Sequence, residues 1–239
     1  MATSREMTAG RALPLIFNFT MPLLMGNLLQ QTYSLVDAAI VGRFLGINAL
    51  ASVGASTSVV FLILGFCNGC CGGFGIPVAQ KFGARDYSTM RSYVGVSLKL
   101  AAGMSVVIAL LTCILCEDIL RIMRTPENIF EGAYAYLLVT FIGVPCTFFY
   151  NLLSSIIRAL GDSKTPFWFL LFAAVLNIIL DYLFIFPFGW GMFGAAIASA
   201  IGTTVGALMI IIYLSRRKCA LRFYPVKLTR KSMQLTPVI

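Results

Sequence analysis

The longest stretches without a charged residue decide what this chain can fold into. No charged side chain occurs from Phe44 to Gln80 or from 132 to 157, and Asp181 is the only one from 165 to 215. An α-helix rises about 1.5 Å per residue and the apolar core of a bilayer is about 30 Å thick, so about 20 apolar residues cross it. Runs of this length predict membrane-spanning helices.

Composition agrees with a chain that lies in lipid. Hydrophobic residues make up 59% of the sequence and charged residues 11%, with a mean hydropathy of +0.90. Soluble domains carry about 25% charged residues, so a water-soluble globular protein is excluded, as are disordered and fibrous chains. The alternation of polar and apolar residues that marks barrel strands does not occur. We predict an all-α integral membrane protein.

Six transmembrane helices fit the uncharged runs, because the turn-forming segment 186–191 divides the last run in two. They form a predicted six-helix lobe over residues 1–215, followed by a basic tail over 216–239. The helices are expected near residues 13–42, 51–80, 92–116, 132–157, 165–186 and 192–215.

The distribution of positive charge predicts the orientation of these helices. Of the 18 Lys and Arg residues, 14 fall on the side that holds both chain ends and three on the other, with Lys99 inside the third helix. Cytoplasmic segments carry the excess of Lys and Arg, so both termini are predicted to be cytoplasmic. The net charge of +9 is then a signal of topology, and no nucleic-acid partner is expected.

Two acidic residues, Asp37 and Asp181, lie inside predicted spans. An aspartate at the centre of a spanning helix costs about 2.5–3.5 kcal/mol on insertion scales, so it normally faces protein or a water-filled cavity. Each lies six residues before the outer end of its helix, about 9 Å below it at 1.5 Å per residue. Their equal depth predicts that both line one cavity.

Polar residues accompany each acid at helical spacing. Gln30, Tyr33 and Asp37 share one face of the first helix, and Asn177 lies one turn before Asp181. Such a pocket could hold a proton or Na⁺, whereas the alternative is interhelical hydrogen bonding without function. The further cavity-lining candidates are Asn27, Gln30, Gln31, Ser34, Tyr136 and Asn151.

The sequence lacks the residue patterns typical of enzyme active sites. Histidine is absent, the spans hold no nucleophile paired with a base, and no G-x-x-x-x-G-K-[ST] phosphate loop occurs. We therefore expect no enzyme, no cofactor beyond a coupling ion, and no metal other than Na⁺ at Asp37 and Asp181. Two small-residue motifs, Gly69-x-x-x-Gly73 and Gly202-x-x-x-Gly206, predict close helix packing.

Several segments together resemble the multidrug and toxic compound extrusion (MATE) transporters. They are Pro22 with Gln30–Asp37 and Val41-Gly42, Leu50–Gly54, Pro77–Ala84, Arg158–Pro166, and Asn177–Ile185 followed by Gly194–Ala198. The resemblance covers almost the whole chain.

This resemblance implies one lobe of a twelve-helix, V-shaped transporter in the plasma membrane. Such a protein exports amphipathic, often cationic, drugs or toxins in exchange for H⁺ or Na⁺. Asp37 would be the coupling carboxylate, supported by Tyr33, Asn177, Asp181 and Ser199. Protonation or sodium binding there would bend the first helix at Pro22.

Only one lobe of that architecture is expected from this sequence. Residues 216–239 resemble the cytoplasmic linker to a second lobe, which would be a separate six-helix partner or a second copy of this chain. Two alternatives remain: a flippase for lipid-linked saccharides from the same superfamily, and a non-transporting membrane scaffold or fragment. The other expected partners are the small-molecule substrate and the lipid of the membrane.

Overall fold

A computed structural model of the chain describes residues 12–216, and these residues are helical except in short connections. Six of the helices are long and apolar enough to cross a membrane, which confirms the predicted number of spans. The predicted tail lies outside the described residues from 217 onward. The helices are α1 (Ala12–Leu45), α2 (Ile47–Gly83), α3 (Tyr87–Ile114), α4 (Cys116–Ile122), α5 (Glu127–Ala159), α6 (Lys164–Ile185) and α7 (Gly191–Arg216).

Short connections make successive long helices run in opposite directions. The bundle therefore has a proximal end, with the start of α1, the α2–α3 and α5–α6 turns and the end of α7. Its distal end holds the α1–α2 turn, α4 and the α6–α7 turn. The sequence did not predict α4, whose charged residues favoured a loop. Cys116 and Leu120 of α4 are buried, while Glu117 and Arg121 form an exposed ion pair.

The centre of the bundle is α5, which packs against α2, α3, α4, α6 and α7. Its buried side chains, including Phe141, Phe148 and Leu152, join the main hydrophobic core with residues of α2, α3, α4 and α7. No residue of α1 or α6 is among the buried members of this core. Many large apolar side chains are exposed on the outer surfaces of the bundle, as is expected of helices that face lipid.

The two small-residue motifs behave differently. At Gly202 an added Cβ would lie 3.2 Å from the Ala173 carbonyl oxygen and 3.3 Å from Asn177 Cβ, so α7 approaches the backbone of α6 there. Gly206 lies equally close to the ring of Tyr150. At Gly69 and Gly73 no described atom lies within 4 Å of an added Cβ. The packing prediction is therefore wrong for α2 within the described chain, because spacing alone does not say which face has a neighbour.

The α5–α6 turn ties α6 to the end of α7. Asp162 Oδ1 accepts hydrogen bonds from the backbone N–H groups of Lys164 and Thr165 at 3.1 and 3.0 Å. Its Oδ2 accepts from Thr165 Oγ1 at 2.6 Å and from the Tyr213 hydroxyl at 3.3 Å. These bonds satisfy donors at the start of α6 and fix it beside α7.

We predict that Gly202→Val lowers stability by about 1–3 kcal/mol, because the branched side chain would force α7 away from α6. The apparent melting temperature of the purified protein in detergent measures this. Gly103→Val is the matched control, since an added Cβ at Gly103 meets no described atom within 4 Å. Equal melting temperatures for the two variants would contradict the close α6–α7 contact.

Asp86 gives a prediction about pH at the start of α3. Its Oδ1 accepts from the Thr89 N–H at 3.2 Å and the Ser88 hydroxyl at 3.0 Å, and hydrogen bonds from Thr89 and Ser88 lower the pKa of this carboxyl below its ordinary value. A lowered pKa contributes stability above the unfolded value and loses it as pH falls through the folded value.

At pH 6 the native protein should therefore have a higher melting temperature than the Asp86→Asn variant. The difference between the two melting temperatures should shrink as the pH falls from 4 toward 3. The isosteric amide removes only the charge, so the variant serves as its own geometric control. A difference in melting temperature that is constant across this range would show that the charge of Asp86 does not stabilise the helix start.

Candidate functional site

The structure brings the two intramembrane carboxyl groups together. Asp37 on α1 and Asp181 on α6 are 8% and 0% exposed, and their carboxyl groups lie within hydrogen-bonding distance of each other. One oxygen of each, Oδ1, is buried and receives no hydrogen bond from a described donor. Two carboxyl groups can hydrogen bond only when one of them carries a proton, and two carboxylates this close otherwise need a cation between them.

Asn177 and Ser199 complete one side of this pair. The Asn177 amide nitrogen donates to Asp181 Oδ2 at 3.0 Å, and its oxygen accepts from the backbone N–H and the hydroxyl of Ser199, both at 3.1 Å, in the amide orientation that pairs all these groups. Gly202 lets α7 come close enough to α6 for these contacts, one turn of helix from Ser199. The site therefore depends on the α6–α7 packing.

Two tyrosines, Tyr33 and Tyr136, lie near the pair of carboxyl groups. Tyr33, one turn before Asp37 on α1, lies beside Ser199. Tyr136 on α5 lies close enough to Tyr33 and both carboxyl groups for their charges to act on its phenol. The sequence-predicted residues Tyr33, Asp37, Asn177, Asp181 and Ser199 thus form one network from α1, α6 and α7.

A small cavity of about 80 Å³ adjoins this network. It shares Tyr33, Asn177 and Ser199 with it, and contains Gln30 and Asn151 from the predicted set. Its other polar lining residues are Thr147, Tyr150 and Thr203. None of the residues that line it is charged.

A second cavity of about 190 Å³ lies toward the proximal end. Gln30, Tyr150, Asn151 and Leu170 line both cavities, so the two adjoin. Pro22 and Asn27 of the predicted set line the second one. The two cavities extend the polar region from the carboxyl pair along the proximal half of α1.

Two predicted cavity residues lie elsewhere. Gln31 and Ser34 are exposed and line neither cavity. The Ser34 hydroxyl bonds instead to the Gln30 carbonyl oxygen of its own helix at 3.0 Å. Sequence reasoning in turn did not single out Asn68 and Arg158, which line the second cavity. Arg158 lies next to a loop, where it served as a topology signal and as part of the family-like segment Arg158–Pro166, without a role in a cavity.

The ligand types at the site suit a proton or a hard monovalent cation. The site offers only oxygen atoms as ligands. They belong to the two carboxyl groups, the Asn177 amide and the Ser199 hydroxyl. Among the described residues, no group of three or more His, Cys, Asp or Glu side chains is placed to hold a metal ion. The pair of acids is thus the only charge that the network itself offers.

Comparison with known proteins adds independent findings. The family model MatE matches residues 22–183. The probable multidrug resistance protein YoeA of Bacillus subtilis is 35% identical over 233 residues, which is 93% of this chain and 50% of that protein. The chain spans about half the length of the curated relatives it matches.

Solved structures agree with the sequence comparison. A crystal structure described as MATE in the bent conformation covers 92% of this chain and 50% of its own, with a TM-score of 0.85 and 27% identity. One described as MATE in the straight conformation covers 92% and 49%, with a TM-score of 0.83 and 28% identity. The similarity thus extends over the bundle that carries the site.

The network predicts that Asn177 is needed for a stable bundle. Asn177→Leu keeps a similar side-chain volume but removes the donor to Asp181 and the acceptor for Ser199, so stability should fall by about 1–3 kcal/mol. Asn151→Leu is the matched control, because Asn151 lines the cavities without a hydrogen bond to a described group. Melting in detergent compares them, and equal losses in both variants would contradict the role of Asn177.

Proposed function

The chain belongs to the MatE family, whose relatives include multidrug resistance and export proteins, and from that premise we propose that it forms the ion-coupling lobe of a multidrug efflux antiporter. This lobe exchanges H⁺ or Na⁺ for amphipathic, often cationic, drugs or toxins. The contact between Asp37 and Asp181 inside a spanning bundle is the observation that carries the proposal.

Asp37 is the coupling carboxylate, and Asp181 is the second acid of the same site. With a proton or Na⁺ bound, the pair is stable in its buried position, and without one the two negative charges repel each other. Asn177 holds Asp181 by a hydrogen bond and is itself held by Ser199, while Tyr33 lies close to both acids. Binding and release of the ion therefore change the force between α1 and α6.

The packing of α1 supports a hinge at Pro22. Asp37 and Val41 are its only buried side chains in the described range, and both lie in its distal half. Phe44 adds edge-to-face contacts with Tyr182 and Phe186, with ring centroids 6.2 and 5.8 Å apart. Pro22 lies in the weakly packed proximal half, where a proline removes one helical hydrogen bond and favours a bend.

A hinge there couples the ion to the cavity. Pro22, Leu23, Gly26 and Asn27 form one wall of the second cavity, so a bend at Pro22 changes its shape. We propose that loss or gain of the ion shifts α1 between two arrangements and that only one of them holds the drug. Solved relatives described as bent and straight are consistent with such a pair of states.

The protein is a multi-pass membrane protein, and its finer placement is part of the proposal. We place it in the plasma membrane with both termini, and hence the proximal end, in the cytoplasm, on the distribution of Lys and Arg. A second six-helix lobe or a second copy of the chain supplies the other wall of a V-shaped cleft. The curated relatives, at about twice the matched length, support this partner.

Two other functions compete with this proposal. A flippase for lipid-linked saccharides needs basic groups for its anionic cargo, and among the residues lining the two cavities Arg158 is the only basic one. A membrane scaffold needs the carboxyl pair only as a packing element. The scaffold predicts that neutralising Asp37 changes stability and no flux, which separates it from an antiporter.

Reconstituted vesicles test the antiporter directly. The native chain, alone and with a matching second lobe, should extrude a fluorescent cationic dye under an imposed pH or Na⁺ gradient. Asp37→Asn should reduce this flux to the level of protein-free vesicles, because the variant lacks the coupling carboxylate and leaves Asp181 without its partner acid. Asp118→Asn, which neutralises an exposed acid on α4, is the matched control and should keep native flux.

The gradient that drives the dye identifies the ion. A folded native protein that moves no dye under either gradient, with or without the second lobe, would contradict the proposal. Flux that survives in Asp37→Asn would contradict the role of this carboxylate while leaving transport intact.

A further inference from the structure

Arg158 places a positive charge in the wall of the second cavity. This residue is half-buried near the proximal end of α5, and its Nε donates to the Ser154 carbonyl oxygen at 3.2 Å. Within residues 12–216 it forms no ion pair with an acidic side chain, and its Nη groups make no hydrogen bond. The two Nη groups therefore hold donors that no described residue uses.

The rest of the cavity wall offers donors and no negative charge. None of the residues that line it is acidic. Asn27 and Asn68 contribute side-chain amides from α1 and α2, and Ser163 contributes a hydroxyl from the α5–α6 turn. Asp37 and Asp181 line neither this cavity nor the smaller one, so they do not supply a counter-charge within it.

The cavity is large enough and open enough for a ligand. Its volume of about 190 Å³ corresponds to about six waters at about 30 Å³ each. Asn27 and Asn68 are exposed and face it from two helices, so the mouth lies between α1 and α2. The buried Ser163 and the half-buried Arg158 lie deeper.

We propose that this cavity binds one oxyanion group, a phosphate or a carboxylate, between the Arg158 guanidinium and the amides of Asn27 and Asn68. A guanidinium presents a planar pair of donors that matches two oxygens of such a group, and these charge-assisted hydrogen bonds are stronger than neutral ones. The group belongs either to a free anion or to the headgroup of an anionic lipid that reaches in between α1 and α2. This site lies apart from the carboxyl pair, which lines neither cavity, and its occupation is tested without transport.

Binding is measured on the purified full chain in uncharged detergent, without drug or gradient. Equilibrium dialysis with radiolabelled inorganic phosphate measures the free anion. Native mass spectrometry after addition of phosphatidylglycerol, with zwitterionic phosphatidylcholine as comparator, measures a lipid headgroup. We expect one bound group per chain in at least one of the two assays.

Arg158→Gln should weaken that binding about tenfold or more, as loss of a charged hydrogen-bond partner does. Lys164→Gln is the matched control, because it removes an exposed positive charge at the same end of the bundle and does not line the cavity. Binding of phosphate identifies a free anion as the ligand, and retention of phosphatidylglycerol alone identifies a lipid. Binding in neither assay, or equal binding in Arg158→Gln and native protein, would overturn the proposal.

A second variant guards against a misfolded Arg158→Gln protein. Asn68→Leu changes an exposed residue at the cavity mouth and leaves the charge in place. It should also weaken binding, because it removes one of the amide donors. Native affinity in a folded Asn68→Leu protein would show that the anion does not lie where we place it.

Discussion

Two acidic side chains in contact inside a bilayer are the constraint on which the rest of this molecule depends. Asp37 and Asp181 cannot both be charged at this distance without a cation, and lipid provides no water to screen them. The Asn177 amide donates to Asp181 and is itself held by Ser199 of α7, and Tyr33 lies close to both acids. In the proposed mechanism, the relative position of α1, α6 and α7 therefore depends on whether the pair holds a proton or a cation.

The packing divides the bundle accordingly. The main core joins α2, α3, α4, α5 and the end of α7, and no buried residue of α1 or α6 contributes to it. A smaller cluster of Val41, Ile185 and Ala195 fixes α1 to α6 and α7 near the distal end. The helix that carries Asp37 is thus anchored at one end and lightly packed over the rest. A change of charge can move such a helix at little packing cost, whereas α5 would resist it.

Bilayer physics made part of the site predictable from sequence. Asp37 and Asp181 were identified because charge in lipid is expensive, and helix geometry then gave their common depth. Helical spacing did not tell where the polar stripe stops, so Gln31 and Ser34 were included although they face outward. The Gly-x-x-x-Gly motif predicted close packing at both Gly69 and Gly202, yet of these two only Gly202 has a close neighbour in the described chain. Whether a glycine has such a neighbour depends on the tertiary packing, and the motif alone does not specify which helix lies against it.

Every side chain of the carboxyl network comes from helices of this chain, namely α1, α6 and α7, with Tyr136 of α5 beside it. In the proposed mechanism these helices hold the ion, and the proposed second lobe supplies the other wall of the cleft. Within that proposal, the bound ion acts on the contact between α1 and α6 in the distal half of α1. Residues of α1 and α2 line the anion cavity, so a group bound at Arg158 would lie against the proximal half of the same helix.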